Sequence, residues 1–228
     1  MSETAVTEEK FYTLWTVFKR TGAAGGEVGP ERAAAAFDEL TASLAADGVT
    51  LRGLYDVSAM RADADVMTWF HGDTPEALQE AVRRVRRSDL FTGAEIVWSA
   101  MGVHRNAEFS KDHSPAFARG VDPSNWVCVY PFVRSYDWYI LDPAERGKML
   151  RDHGLMGRDY PQVLSNTVAS FALGDWEWIL ALEAPELTDL VDLMRHLRGT
   201  EARLHVREEI PFYTGRRIAA IDVAEVLA

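Results

Sequence analysis

The order of strand and helix signals predicts an α+β fold built from two ferredoxin-like halves, and three observations carry that prediction. Along the 228 residues the signals run β-α-β-β-α-β, then run so again; this is the split βαβ motif, doubled. The echo is visible when "DVMTWFHGDTPEALQEAVRRVRRS" is set against "EWILALEAPELTDLVDLMRHLRG". The chain is also long and apolar enough, at 47% hydrophobic and 11% aromatic, for one large domain or two small ones with a real core.

Each element has its own reason. "FYTLWTVFKR" (11–20) is aromatic and β-branched and reads as a strand. After the glycine-rich turn "TGAAGGEVG", Pro30 opens an alanine-rich helix toward Ala46. "VTLRGLYDVSAM" and "DADVMTWFHG" are the next strands. "DTPEALQEAVRRVRRSDL" combines a cap, a proline and 3.6-residue periodicity, and "AEIVWSAMGVHR" closes the half as a strand. In the second half "NWVCVYPFVRS" is a strand and "DPAERGKMLRDHG" a helix. "NTVASFALG" and "DWEWILALE" form a hairpin, "APELTDLVDLMRHLRGTEAR" a helix, and "HVREEIPFYTGRRI" the last strand. The join falls between Arg105 and Asn125, where "NAEFSKDHSPAFARGVDPSN" carries loop signals, giving halves of 1–118 and 119–228. A connector this long is uncommon unless it is functional or disordered.

Composition excludes several chemistries. A net charge of −11 opposes sequence-independent nucleic-acid binding, which rests on neutralising phosphates with Lys and Arg. The single cysteine, Cys128, excludes an intrachain disulfide and any thiolate cluster within one chain. No apolar run approaches the roughly 20 residues of a membrane helix. The opening "MSETAVTEEK" lacks a basic and an apolar region, so the expected location is the cytoplasm. "GAAGG" is not a phosphate loop, because no Lys-Ser/Thr follows it. "RRVRR" (83–87) reads as a solvated helix face.

Three places could carry chemistry. In the helix opening at Asp142-Pro143-Ala144-Glu145, a capping-box variant, Arg146, Met149, Leu150 and His153 recur on one face. Gly154 is expected to end that helix as a left-handed cap, leaving His153 projecting toward the sheet. The residues alone leave His153 either a core-edge histidine bonded to a backbone carbonyl or a metal ligand. His113, in the connector, is equally readable as a solvent-exposed loop residue. Alternation puts Tyr130, Phe132 and Arg134 on one strand face. An inward arginine there is costly unless it meets an anion, and otherwise it reaches solvent at a sheet edge. His71, His104, His196 and His205 receive no role.

With these residues in view, the second half resembles the chlorite dismutase-like superfamily, and most closely its coproheme decarboxylases. The resemblance is carried by "VYPFVRSYDWYIL", "ERGKMLRDHGLMGRDYPQV", "SFALGDWEWILALE" and "PFYTGRR" and covers nearly all of 126–217. It implies a dimeric α+β barrel within one chain. It implies further that His153 is the proximal ligand of haem iron, and that the substrate radical forms on Tyr130. Arg134, and with less support Arg158, would face substrate propionates. His113 would be the distal base toward bound hydrogen peroxide. Asn166, grouped with the cofactor-binding residues, stands where chlorite dismutases carry a distal arginine, and that departure argues against chlorite chemistry. The implied activity is peroxide-dependent decarboxylation of two propionates of Fe-coproporphyrin III (coproheme), at once substrate and cofactor, to give haem b. A homopentamer and a transient contact with the ferrochelatase that supplies coproheme are implied with it. The alternatives are a haem-binding peroxidase or chlorite-degrading enzyme of the same fold, and a non-catalytic haem carrier or sensor.

Overall fold

The computed structural model describes residues 11–22, 28–105 and 114–228. The first half supplies β1 (Tyr12–Arg20), α1 (Pro30–Ala46), β2 (Val49–Asp56), β3 (Val66–Gly72), α2 (Pro75–Arg86) and β4 (Ala94–Val103). The second supplies β5 (Trp126–Arg134), α3 (Pro143–Gly157), β6 (Leu164–Ala169), β7 (Trp178–Ala184) and α4 (Leu187–Leu197), then β8 (Val206–Glu208), β9 (Tyr213–Ile218) and α5 (Ala220–Val226). Within the halves the strands lie in the orders β4-β1-β3-β2 and β9-β5-β7-β6, the same arrangement twice. Two seams, β2 with β9 and β4 with β6, join the sheets into a closed antiparallel barrel; β8 alone of the described strands stays outside the ring, on β5. Closure leaves the barrel strands without free edges.

Strand alternation sorts the side chains into three layers. Inward residues, among them Trp15, Tyr55, Trp69, Trp98, Val127, Val129 and Ala181, fill the barrel. Leu14, Phe18 and Phe70 face outward under α1 and α2, which contribute Phe37, Leu44, Leu78 and Val85. On the second half, Cys128, Tyr130 and Leu182 face outward under Leu190 and Leu193 of α4. Each seam carries a glycine that close approach requires. A Cβ on Gly102 would collide with the Val168 side chain, and one on Gly215 would lie 2.5 Å from the Asp56 carbonyl oxygen.

Three sequence expectations change, and the C-terminal segment adds an element for which the sequence offers no expectation. Helix α3 runs through Gly154 to Gly157, with Arg158 as its right-handed C-cap. Gly154 is absent from the positive-φ glycines, so it ends nothing; the helix-forming Leu155 and Met156 carry the helix onward. His153 therefore stands within α3, not at its close. The final strand divides into β8 and β9. The described part of the connector contributes to the core: Phe117 enters the barrel, edge-on to Trp69. Finally, the C-terminal segment forms α5, whose Ala220 and Val223 join the first half's outer layer.

Candidate functional site

The second half's outer layer carries three of the sequence candidates, Tyr130, Arg134 and His153. Tyr130, Phe132 and Arg134 alternate along β5, as the pattern required, and end beside β8, where Arg134 pairs with Val206. The 3-10 segment Glu201–His205 feeds β8 and follows α4, so one stretch, 197–208, passes from the helix layer to the end of β5. Helix α3 packs on that stretch through His153.

His153 is half-buried, and its Nδ1 lies 3.1 Å from Thr200 Oγ1. The same hydroxyl donates to the Leu197 carbonyl at 2.9 Å. Burial, then the charge of Arg134, holds the imidazole below its ordinary pKa, so it is neutral near pH 7. The partner is thus a side-chain hydroxyl rather than the backbone carbonyl that a core-edge histidine would use.

Arg134 is half-buried, with its guanidinium over the rings of Trp138 (4.2 Å) and Phe132 (5.0 Å). Among the described residues no carboxylate ion-pairs with its side chain. Glu177 Oε2 instead accepts from the Arg134 backbone N–H at 2.9 Å and from the Tyr139 hydroxyl at 2.8 Å. Desolvation dominates, pulling the guanidinium down to about 10. A desolvated cation of this kind suits an anionic group that comes from outside the chain.

Tyr130 is buried, stacked on Phe212 at 4.5 Å, and its hydroxyl donates to Met194 Sδ at 3.6 Å. Burial, reinforced by Cys128 and Glu209, raises the phenol well above its ordinary value, so it holds its proton. A thioether is a weak acceptor, which leaves that hydroxyl free to trade partners. Nearby, Arg198 and Arg203 both hold Glu209, at 2.9 and 2.8 Å.

Two candidates do not join this cluster. Asn166 lies opposite Ala181 in the β6–β7 ladder, whereas Tyr130 lies opposite Leu180 across β5–β7. Directly paired residues share a face, so Asn166 is on the barrel-interior side, away from Tyr130. Its Oδ1 accepts from Phe117 N at 3.0 Å and its Nδ2 donates to Glu183 Oε1 at 2.9 Å. Glu183 in turn holds Arg52 at 2.7 Å, so Asn166 belongs to a buried network that ties the two halves. Arg158, expected to point inward, is exposed at the end of α3, because the helix runs farther than Gly154. His113 lies outside the described residues.

Sequence reading missed Thr200, Met194, Phe212, Arg198, Arg203 and Glu209. Gly199-Thr200 after an apolar helix is a cap signal that could have marked the first. The others sit on patterns indistinguishable from ordinary helix and strand faces. No group of three or more His, Cys, Asp or Glu side chains forms a metal cage among the described residues. No described helix is long and apolar enough to cross a membrane.

Comparison with known proteins adds a second line. A family model described as chlorite dismutase matches residues 30–218. The chain is 52% identical over 212 residues to a coproheme decarboxylase of Mycolicibacterium smegmatis, covering 91% of this chain and 90% of that one. It is 29% identical over 194 residues to a protein of Haloarcula marismortui named for heme binding, covering 75% of this chain but 29% of that longer one. Among solved structures, a chlorite dismutase of Candidatus Nitrospira defluvii in complex with imidazole superposes with a TM-score of 0.81. The match is 17% identical and covers 95% of this chain and 94% of that one. A mutant of that enzyme gives 0.81 at 18% identity over 96% and 95%. These structures establish the shared fold.

Proposed function

Because the chain belongs to the chlorite dismutase family, we propose that it is a coproheme decarboxylase, converting Fe-coproporphyrin III to haem b with hydrogen peroxide. The observation that carries this reading is Arg134, a half-buried cation without a carboxylate on its side chain, on the strand face it shares with Tyr130 and within electrostatic reach of His153. Coproheme has four propionates where haem b has two, and such a cation selects for the extra carboxylates. The 52% identity to a coproheme decarboxylase supports the same choice.

The residues then divide the work. Neutral His153 offers a ring nitrogen to the substrate's iron, and the iron supplies the oxidising chemistry once peroxide reacts. Arg134 anchors a propionate. Tyr130, poised at the sheet face, relays one oxidising equivalent by which a hydrogen atom leaves the propionate's β-carbon, and loss of a second electron then releases CO2. His113 takes a proton from peroxide. Each propionate consumes one peroxide and one proton and yields a vinyl group, CO2 and two waters, so the full conversion takes two peroxides. Asn166 and Arg158 have no part here. The reading extends to a homopentamer, a transient contact with the ferrochelatase that delivers coproheme, a cytoplasmic setting, and a division of the chain into 1–118 and 119–228.

Mass spectrometry of the coproheme-loaded protein under peroxide titration tests the proposal. The expected record is loss of one and then two CO2 units through a three-propionate intermediate, with Tyr130→Phe binding coproheme but not converting it. Unchanged substrate mass after excess peroxide contradicts the reading, and so does a Tyr130→Phe variant that turns over normally.

A further inference from the structure

Thr200 is 7% exposed and stands between α4 and the 3-10 segment, with Arg203 N donating to its carbonyl at 3.1 Å. Its hydroxyl has one proton, and that proton is directed at the Leu197 carbonyl, 2.9 Å away. The 3.1 Å contact to His153 Nδ1 therefore requires the hydroxyl to accept and Nδ1 to carry the hydrogen. In a neutral imidazole this leaves Nε2, on the opposite edge of the ring, as the bare lone pair.

We propose that Thr200 is the positioning residue that fixes His153 as the Nδ1–H tautomer and holds Nε2 ready for the porphyrin iron. The inference rests on reading His153 as the iron ligand. It adds how the ring is prepared before any ligand arrives. Groups in this position orient a ligating imidazole and typically change metal affinity 10- to 100-fold when removed. Thr200 is well suited, since its own orientation is set by the end of α4 rather than by the ligand. A methyl group in place of the hydroxyl removes the acceptor and leaves the ring free to rotate or to exchange its proton between nitrogens.

Nitrogen-15 NMR of histidine-labelled protein without ligand, at pH 7.5, reads the tautomer directly, with His153→Ala identifying the signal. Wild type and Thr200→Ser are expected to show protonated Nδ1 and bare Nε2. Thr200→Val is expected to show a mixture and to bind ferric coproheme about 10- to 100-fold more weakly. A wild-type ring protonated at Nε2 overturns the proposal, and this measurement holds even where Thr200→Val does not fold. Thr200→Val with unchanged tautomer and affinity overturns it as well. The underlying ligand assignment fails separately: His153→Ala with an unaltered iron spectrum removes it without touching the tautomer result.

Discussion

Replacing Arg134 by methionine should weaken coproheme binding without weakening the fold. Burial pulls the guanidinium well below its ordinary value, to about 10; at about 1.4 kcal/mol per pH unit, the charged form is destabilised by roughly 3 kcal/mol. Stacking over Trp138 and Phe132 returns roughly 1 kcal/mol for each ring. What remains is a cost of about 1 kcal/mol to the ligand-free fold, which the neutral methionine escapes while still covering the two rings. A propionate hydrogen-bonded to Arg134 contributes about 1.5–3 kcal/mol, so its loss should raise the Kd for coproheme about 10- to 150-fold. Urea unfolding and tryptophan-quenching titration give the two numbers from one preparation. The expected pair is unchanged or slightly higher stability with at least 10-fold weaker binding. A destabilised variant that binds as wild type would mean that Arg134 serves the fold and not the substrate.

Three further outcomes follow from the barrel. Burial, then the charge of Arg52, lowers His71 to about 4. The unfolded chain therefore takes up its proton from about pH 6.5 downward while the native ring does not, so stability should fall by up to roughly 3 kcal/mol between pH 6.5 and 4. Urea midpoints at pH 7 and 4.5 should differ less in His71→Phe, and an equal difference in both proteins contradicts this. Arg52→Met strands Glu183 in the interior and should cost about 3–5 kcal/mol, most of it recovered when Glu183→Leu is added. Additive losses in the urea series would deny the coupling. At the seams, Gly102→Ala meets a side chain and should be rescued by Val168→Ala, whereas Gly215→Ala meets the backbone of Asp56 and should have no such rescue. Thermal melts of the single and paired variants decide between them.

Much of this architecture was legible because the two periodicities are distinct. Phe18, Phe70 and Tyr130 alternate with Val17, Trp69 and Val129, and that alternation alone assigns them to opposite faces of the barrel wall. Helix α1 begins at Pro30 and ends at Ala46 as its composition indicates. What failed depended on contacts far apart in the chain. Family resemblance places Asn166 with the cofactor-binding residues, but its face is set by ladder register with β7, and a one-residue shift in register reverses every side chain. Glycine at 154 predicts a stop, yet helix α3 continues past it without a left-handed residue. The role of Thr200 was hidden for a similar reason, because its partner lies 47 positions earlier. Nor could alternation show that α5 crosses to pack on α1, since only closure of the barrel brings the chain end there.

If His153 ligates the iron of coproheme, the absorption spectrum of added ferric coproheme must differ between wild type and His153→Ala. Wild type should give the bands of an imidazole-ligated ferric porphyrin. The alanine variant should lose them and regain them when free imidazole is added. Identical spectra from the two proteins, with the porphyrin still bound, would mean that another group holds the iron.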